Sequence, residues 1–417
     1  MEVSVNEFGL EYLFVGVDLG DERFQICIVD PKGASGEQRS FAHDGEGIGE
    51  AITWLKSAAV ERNSRLAIAI ESPRGAVVAG FLEAGFEVFS INPKQLDRFR
   101  DRFTVAGSKD DRLDARVLGD SLRTDPRAFR RLIVEPGWLV RMRQASRMED
   151  ELKQECRRSA NRLRAALHDY HVELLALLPS ADEPWFWDLV ALASTPALGA
   201  RLRPKQVERL LAEHRIRRIN AQDVIERLRR QPVPSAPGVI DAGSTHALML
   251  VPRLHLLTQQ LTQCQSQIQK LLDELGSEDQ PDQTSEHRDA LILRSLPGAG
   301  RYVVATMLVE AFWALRQRDY RLLRALCAVA PVTEQSGRSR FVHMRRACNG
   351  RLRNAVHHWA WNATLVDPHF ARLYKDMRGR GLTHARALRG VADRLLNLTV
   401  VVLQNGTLYD PSLRAAA

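Results

Sequence analysis

Apolar and polar positions divide this chain into two regimes. Over residues 11–130, short apolar runs alternate with amphipathic stretches, the pattern of a mixed α/β layer. The run from Tyr12 to Leu19 predicts a strand. RFQICIVD, after the turn at Asp21-Glu22, predicts a second strand that pairs with it as an opening hairpin. LAIAIES and EVFSINP predict two more, separated by a helix through residues 75–84. KDDRLDARVLGDSL predicts a helix on which Asp111 and Asp114, three apart, share one face.

From about residue 139 the period becomes helical and long. Met148, Leu152, Cys156, Ser159, Leu163, Ala166 and Tyr170 step by threes and fours along a charged helix. Pro179 and SADEPWFWD interrupt it, and a basic helical insert follows at about 200–230. Leu250, Leu254, Leu257, Leu261, Cys264, Ile268, Leu271 and Leu275 then keep an unbroken 4-3 alternation. That seam predicts a coiled coil, or an antiparallel helical hairpin with the earlier helix. The polar stretch GSEDQPDQTSEH, 276–287, marks a boundary, and the remainder to about 405 reads as helical and basic. The pattern divides the chain into a domain over 1–130, a coiled-coil or helical region over 131–285 and a mainly α domain over 286–417.

Composition adds a partner class. The formal charge of +8 and a pI of about 9.5 fit a polyanion. Five scattered cysteines without a CxxC pair exclude a zinc framework and a disulfide scaffold, and they read as reduced, cytosolic thiols. The acidic start MEVSVNEFGLEY lacks the basic n-region of a signal peptide. No apolar run reaches the ~18 residues that would span a bilayer.

The candidate chemistry lies in four carboxylates. Asp18 sits inside YLFVGVDLG, Glu71 closes LAIAIES, and Asp111 and Asp114 follow on the predicted helix. Carboxylates that close buried strands are costly unless compensated, and a hard cation such as Mg²⁺ is the usual compensation. Two such ions can clamp a phosphodiester under attack. Without a cation, mutual repulsion should raise at least one of the four pKa values. Asp110 and Asp120 read as solvated helix charges instead. GVDLG also opens actin-like ATPases, but those need a second glycine-rich aspartate motif that this sequence lacks. The order strand, strand, helix matches a ribonuclease H-like nuclease.

Two further stretches point to nucleic acid. LRSLPGAGRYVVATMLVEA resembles the turn of a helix-hairpin-helix, with Gly298 and Gly300 permitting the turn and the next helix offering backbone N–H groups to a phosphate. From Ser336 to Arg353 there are six arginines (Arg338, Arg340, Arg345, Arg346, Arg351, Arg353) and no acid, which favours contact with a nucleic-acid backbone. Ser336, before Gly337, reads either as a turn residue or as a nucleophile.

GVDLG, AIES, SKDDRLDA, LPGAG and EQSG…NGRLRNAVHHWA, in this order, resemble the DEDD transposases of the insertion-sequence one-ten family. These are relatives of the Piv DNA invertases and are also described as bridge-RNA-guided recombinases. The resemblance covers roughly 11–130 and 290–400. It implies a RuvC-like N-terminal domain, a coiled coil in the middle and a C-terminal transposase domain with a serine. Its four acids fall on Asp18, Glu71, Asp111 and Asp114, and its QSG serine on Ser336, with Ser339 as a second candidate. Thr333-Glu334 departs from the family, where a basic residue often precedes QSG.

The resemblance implies a bacterial insertion-sequence recombinase that breaks and rejoins DNA through a phosphoserine bond. Two Mg²⁺ ions at the four acids would assist. Its partners would be the element ends, target DNA and a noncoding guide RNA. A homo-oligomer, dimer or tetramer, would combine the acids of one protomer with the serine of another. No membrane is involved, and the protein would be cytoplasmic, joining the nucleoid when active. A RuvC-like structure-specific nuclease, a Piv-like site-specific invertase and a non-catalytic nucleic-acid-binding protein are the alternatives.

Overall fold

The computed structural model describes residues 11–100, 111–276, 285–337 and 339–411. Contacts divide the chain into two compact units, Met1–Pro136 and Gly137–Ala417. Asp110, Arg338, most of the 276–287 boundary stretch and the end of the C-terminal tail lie outside the described residues.

Unit 1 is a six-stranded sheet with helices on both faces. Its strands are β1 (Tyr12–Leu19), β2 (Arg23–Val29), β3 (Ser35–Ala42), β4 (Arg65–Ile70), β5 (Glu87–Ile91) and β6 (Phe129–Arg131). The order is β3-β2-β1-β4-β5-β6. β1, β2 and β3 run antiparallel, β4 and β5 lie parallel to β1, and β6 closes the far edge antiparallel. This is the arrangement expected of a ribonuclease H-like domain. Period-2 alternation sorts the side chains. Val15, Val17, Ile68 and Ile70 face α1 (Gly45–Glu61) and α2 (Ala76–Glu83), and Phe14, Cys27, Ala67 and Ala69 face α3 (Pro93–Arg100) and α4 (Asp111–Thr124).

Four elements are additional to those the pattern predicts. β3, SGEQRSFA, is a mostly exposed polar edge strand with little alternation to betray it. α1 buries Ile48, Ala51, Leu55 and Ala58, and Asp44 caps it by accepting from Gly47 N at 2.8 Å. α3 and the three-residue β6 complete the set.

α4 lies unusually close on β1. A Cβ built on Gly16 would come within 1.7 Å of the Ala115 carbonyl oxygen, and one on Gly119 within 3.0 Å of the Gly16 nitrogen. Helix and strand therefore meet backbone to backbone, which only paired glycines allow.

Among its described residues, unit 2 is helical apart from one hairpin. Its helices are α5 (Gly137–Tyr170), α6 (Val172–Leu175), α7 (Pro184–Leu192), α8 (Pro196–Arg201), α9 (Pro204–Glu213), α10 (Ala221–Leu228), α11 (Val239–Leu275), α12 (Ser285–Ser295), α13 (Arg301–Glu310), α14 (Phe312–Arg316), α15 (Tyr320–Leu326), α16 (Gly350–Val366), α17 (Pro368–Gly379) and α18 (His384–Asn405). Between α15 and α16, β7 (Val332–Ser336) and β8 (Ser339–His343) pair antiparallel, in a segment expected to be wholly helical.

The 4-3 seam is filled from within the chain. α11 packs antiparallel on α5: Cys264 Sγ lies 3.2 Å from the Ala145 oxygen, Gln265 donates to Glu149 at 3.2 Å and Arg253 to Glu155 at 3.1 Å. The seam residues Leu250, Leu254, Leu257, Cys264, Ile268, Leu271 and Leu275 are buried in this pairing. Leu261, the remaining seam residue, is partly exposed. On α5 the register starts one position away from the expected one. Met148 is 44 % exposed, and Ala145 and Glu149 take the inner face.

The two long helices serve two cores. Leu139, Met142, Cys264 and Ile268 join α12–α18, and Leu163, Tyr170, Ala247 and Leu254 join α6–α10. Among the described residues no helix is long and apolar enough to cross a membrane.

Candidate active site and nucleic-acid surfaces

The acids of unit 1 are gathered by strand geometry. Val17 pairs with Ile70 in the parallel β1–β4 ladder. The next positions, Asp18 and Glu71, therefore stand side by side where the strands end. Both fall on the α4 face, since Asp18 shares parity with Phe14 and Gly16, and Glu71 with Ala67 and Ala69. The close α4 crossing brings its first turn, Asp111 and Asp114, to the same place. Asp111 is exposed at the helix start and Asp114 is buried, 2 % exposed. The four sequence-predicted carboxylates thus converge.

Their electrostatics show it. Burial first, then the negative charges of Asp114 and Asp111, raise the Asp18 carboxyl to about 6; Arg100 opposes them and Glu71 adds to the rise. The expected rise falls on Asp18, with burial as its first cause and repulsion from the neighbouring carboxylates adding to it. Arg100, at the end of α3, is the resident counter-charge. It donates to both Asp114 oxygens, Nε at 2.8 Å and Nη2 at 3.1 Å, and pairs with Asp97 at 3.0 Å and Glu71 at 3.8 Å. Asp114 is therefore screened by Arg100.

Asp18, Glu71, Asp111 and Arg100 open onto a cleft of about 1010 Å³. Arg127 and Arg130, around the short β6, line another part of it. Sequence reasoning missed Arg100, Arg127 and Arg130. Their one signal is position, on either side of the acidic helix in the chain. Asp120 is half-buried on α4 and pairs with Arg123 at 2.6 Å.

The donor set fits Mg²⁺ in kind. All four ligands offered are carboxylate oxygens, and among the described residues the Arg100 guanidinium opposes their charge. As the side chains stand, the described residues contain no group of three or more His, Cys, Asp or Glu side chains that could hold a metal ion. A cage is not what Mg²⁺ requires, since it commonly takes one or two carboxylates and completes its shell with water and substrate phosphate.

Unit 2 holds the other predicted residues. Ser336 ends β7 and pairs across the turn with Ser339, and both are exposed. Gly337 holds the turn at φ 56°, a conformation glycine adopts freely. The two serine candidates are thus cross-strand neighbours on one face. Phe341 and Val342 leave the hairpin 68 % and 60 % exposed.

The arginines part company. Arg340, Arg346 and Arg353 are exposed, and Arg345 is half-buried. Arg351 is committed within the protein: Nε donates to Asp150 at 2.7 Å, Nη1 to Glu310 at 2.7 Å, and Nη2 to the Ser146 carbonyl at 2.8 Å and hydroxyl at 2.7 Å. Asn349 caps α16 by accepting from Arg351 N and Leu352 N, and donates to Glu310 at 2.9 Å. The NGR segment therefore ties α16 to α13 and α5. Burial would raise the Glu310 carboxyl, but Asn349, Arg351 and Arg147 hold it below its ordinary value.

The LPGAG turn also has a packing role. Gly298, at φ 72°, lies against α16, where a Cβ would come within 2.7 Å of Ala363 N. Trp359 donates to the Pro297 carbonyl at 2.9 Å. Gly300, the residue before α13, is exposed and open around its Cα.

Residues 15–172 match a family model for DEDD transposases of IS110, and residues 290–375 match the model for the IS116/IS110/IS902 transposase family. The chain is 31 % identical over 421 residues to the mini-circle putative transposase for IS117 of Streptomyces coelicolor, covering 97 % of this chain and 98 % of that protein. It is 43 % identical over 212 residues to the putative transposase y4uE of Sinorhizobium fredii, an alignment spanning 50 % of this chain and 59 % of that protein. An uncharacterized protein of insertion element IS110 from Streptomyces coelicolor is 26 % identical over 80 % of either chain.

Proposed function

Because the chain belongs to the IS116/IS110/IS902 family of insertion-sequence transposases, we propose that it breaks and rejoins DNA through a covalent phosphoserine intermediate at Ser336. The convergence of Asp18, Glu71, Asp111 and Asp114 at one end of the sheet, beside a cleft rimmed by arginine, carries this reading.

In the first step the Ser336 hydroxyl oxygen attacks the scissile phosphorus and gives up its proton. The bond from phosphorus to the departing nucleoside oxygen breaks, and that oxygen leaves as a hydroxyl. In the second, a strand hydroxyl attacks the phosphoserine and restores the diester, returning the proton to Ser336. Energy is conserved across the exchange, so no high-energy cofactor is needed. Mg²⁺ held at the four acids would act as a Lewis acid on the phosphate and promote serine ionisation. Arg127 and Arg130 would hold the phosphate backbone over the cleft by charge. Arg340 and Arg346 would do the same beside Ser336. The acids of one protomer would work with the serine of another. A structured noncoding RNA would be bound by shape and phosphate on the basic surfaces.

Ser336→Ala is expected to retain DNA binding and lose strand transfer entirely. A stalled wild-type reaction should leave DNA attached to the peptide containing Ser336, read by mass spectrometry of the trapped complex. Strand transfer by Ser336→Ala, or an adduct on Ser339, would refute the assignment. A second reading has its own support, since the acid cleft belongs wholly to unit 1: a RuvC-like nuclease with water as the nucleophile. Metal-dependent cleavage without any adduct would favour it. Mixing Asp18→Asn and Ser336→Ala proteins tests the shared site, because only a shared site restores activity in the mixture.

A further inference from the structure

Unit 2 contains a cavity of about 150 Å³ between α16, α18 and the chain after α15. Its floor is apolar: Val356 and Leu388 are each 1 % exposed. Its rim carries Arg353, Asn354, His357 and Arg389, and among the described residues no carboxylate lines it. Arg389 reaches over the opening, with Nη1 2.9 Å from Met344 Sδ. At this size the cavity falls below ordinary small-molecule pockets of ~300–1,000 Å³, so its occupant is on the scale of a single ring system.

An exposed aromatic cluster adjoins the rim. His357 and Trp361 are four apart on α16 and share one face. The His384 ring lies 6.4 Å from His357 and 5.6 Å from Trp361, and Tyr374 lies 6.0 Å from Trp361. Tyr374 Oη and His384 Nδ1 are 2.8 Å apart, which fixes both rings. Burial first, then His358, His384 and Arg389, hold the His357 imidazole below its ordinary pKa, so near neutral pH it is an uncharged ring. Trp361 remains 40 % exposed.

We infer that this cavity and cluster form a site for unpaired nucleotides, with one base in the cavity, its phosphate against Arg353 and Arg389, and a neighbouring base stacked on Trp361 and His384. Apolar depth, flat rings and two rim arginines together suit a flexible polyanion with exposed bases. A duplex, whose bases are already stacked, offers nothing to the cavity. The site rests on the nucleic-acid reading above and adds to it a preference for single strands.

Fluorescence anisotropy with the full-length protein tests it, using unstructured RNA, unstructured DNA and blunt duplex DNA. Trp361→Ala and His357→Ala should each weaken single-strand binding roughly tenfold, as ~1–3 kcal/mol per stacked base implies, and leave duplex binding unchanged. Trp361→Phe should keep most of the affinity. The strand type that loses more identifies whether RNA or DNA occupies the site. Unchanged single-strand affinity in variants with native circular dichroism would overturn the inference, as would equal losses on the duplex. A changed oligomer mass in Trp361→Ala, with single-strand affinity intact, would overturn it too and assign the face to a second copy. If the wild type binds no nucleic acid at all, the broader reading falls with it. If the wild type binds and the variants match it, only this site falls.

Discussion

Asp18→Asn is expected to abolish DNA cleavage while making the metal-free protein more stable. The activity loss should be at least ~10³-fold, on the scale of removing several kcal/mol of transition-state stabilisation. The gain in stability follows from the raised carboxyl. Asp18 titrates at about 6 when folded, against an ordinary value of 3.8. Between those values the folded state binds more protons than the unfolded one, so wild-type stability falls as pH rises from about 4 to 6. Below 3.8 the carboxyl is protonated in both states and the penalty vanishes. Above 6 the penalty is complete. Asparagine escapes it, so the variant's advantage should be absent at pH 3.5 and full at pH 7.5. Because Asp18 is half-exposed, solvent screening should reduce the effect to on the order of 1 kcal/mol. Mg²⁺ should raise the wild-type melting temperature and leave that of the variant nearly unmoved. A variant destabilised at pH 7.5, or one whose melting temperature rises with Mg²⁺ like the wild type's, would contradict the convergence of the four acids.

Gly16→Ala is expected to lose about 3 kcal/mol of stability or more, at or beyond the upper end of ordinary overpacking. The new methyl would overlap the Ala115 carbonyl, an atom of rigid helix backbone rather than a flexible side-chain tip. α4 would have to lift from β1 and carry Asp111 and Asp114 away from Asp18 and Glu71. Chemical denaturation measures the loss. The raised Asp18 carboxyl, followed by NMR in any fraction that still folds, should drop toward its ordinary value. An unchanged denaturation midpoint would mean that the close crossing of α4 and β1 does not exist in solution.

The parts of this fold written in strong periodicity were legible in the sequence. The Tyr12–Leu19 run, the hairpin after it, the acidic helix and both long helices are where the alternation placed them. The four acids were legible because each sits at the end of such an element. β3 was hidden because an exposed edge strand has no buried face to enforce alternation. The β7–β8 hairpin was hidden for the same reason, with nearly every residue exposed and no buried face to enforce alternation. Arg351 exposes a different limit. Its position in a cationic stretch suggests phosphate, while its partners Asp150 and Glu310 lie 201 and 41 residues away in the chain. Local charge cannot reveal such distant partners. Arg100 was overlooked in the same way, since only the folded sheet brings it between Glu71 and Asp114.

The long helical pair has a consequence for how this chain can change over generations. The path departs at Tyr170 and is back beside the same ring by Gly243, where an added Cβ would come within 2.6 Å of it. Everything between is a detour whose two ends touch, and its small helices gather on one end of the pair. A loop of sequence with adjoining ends can be lengthened, trimmed or traded between lineages like a cassette, without dragging the remaining helices with it. The constraint is local: an incoming cassette must cover Leu163, Leu167, Ala247 and Leu254. A chimera that meets it should express as a folded protein with the wild-type circular dichroism of its remaining helices, and one that leaves those four uncovered should aggregate. Novelty in this chain has a cheap place to arise, far along the sequence from the acids and from Ser336.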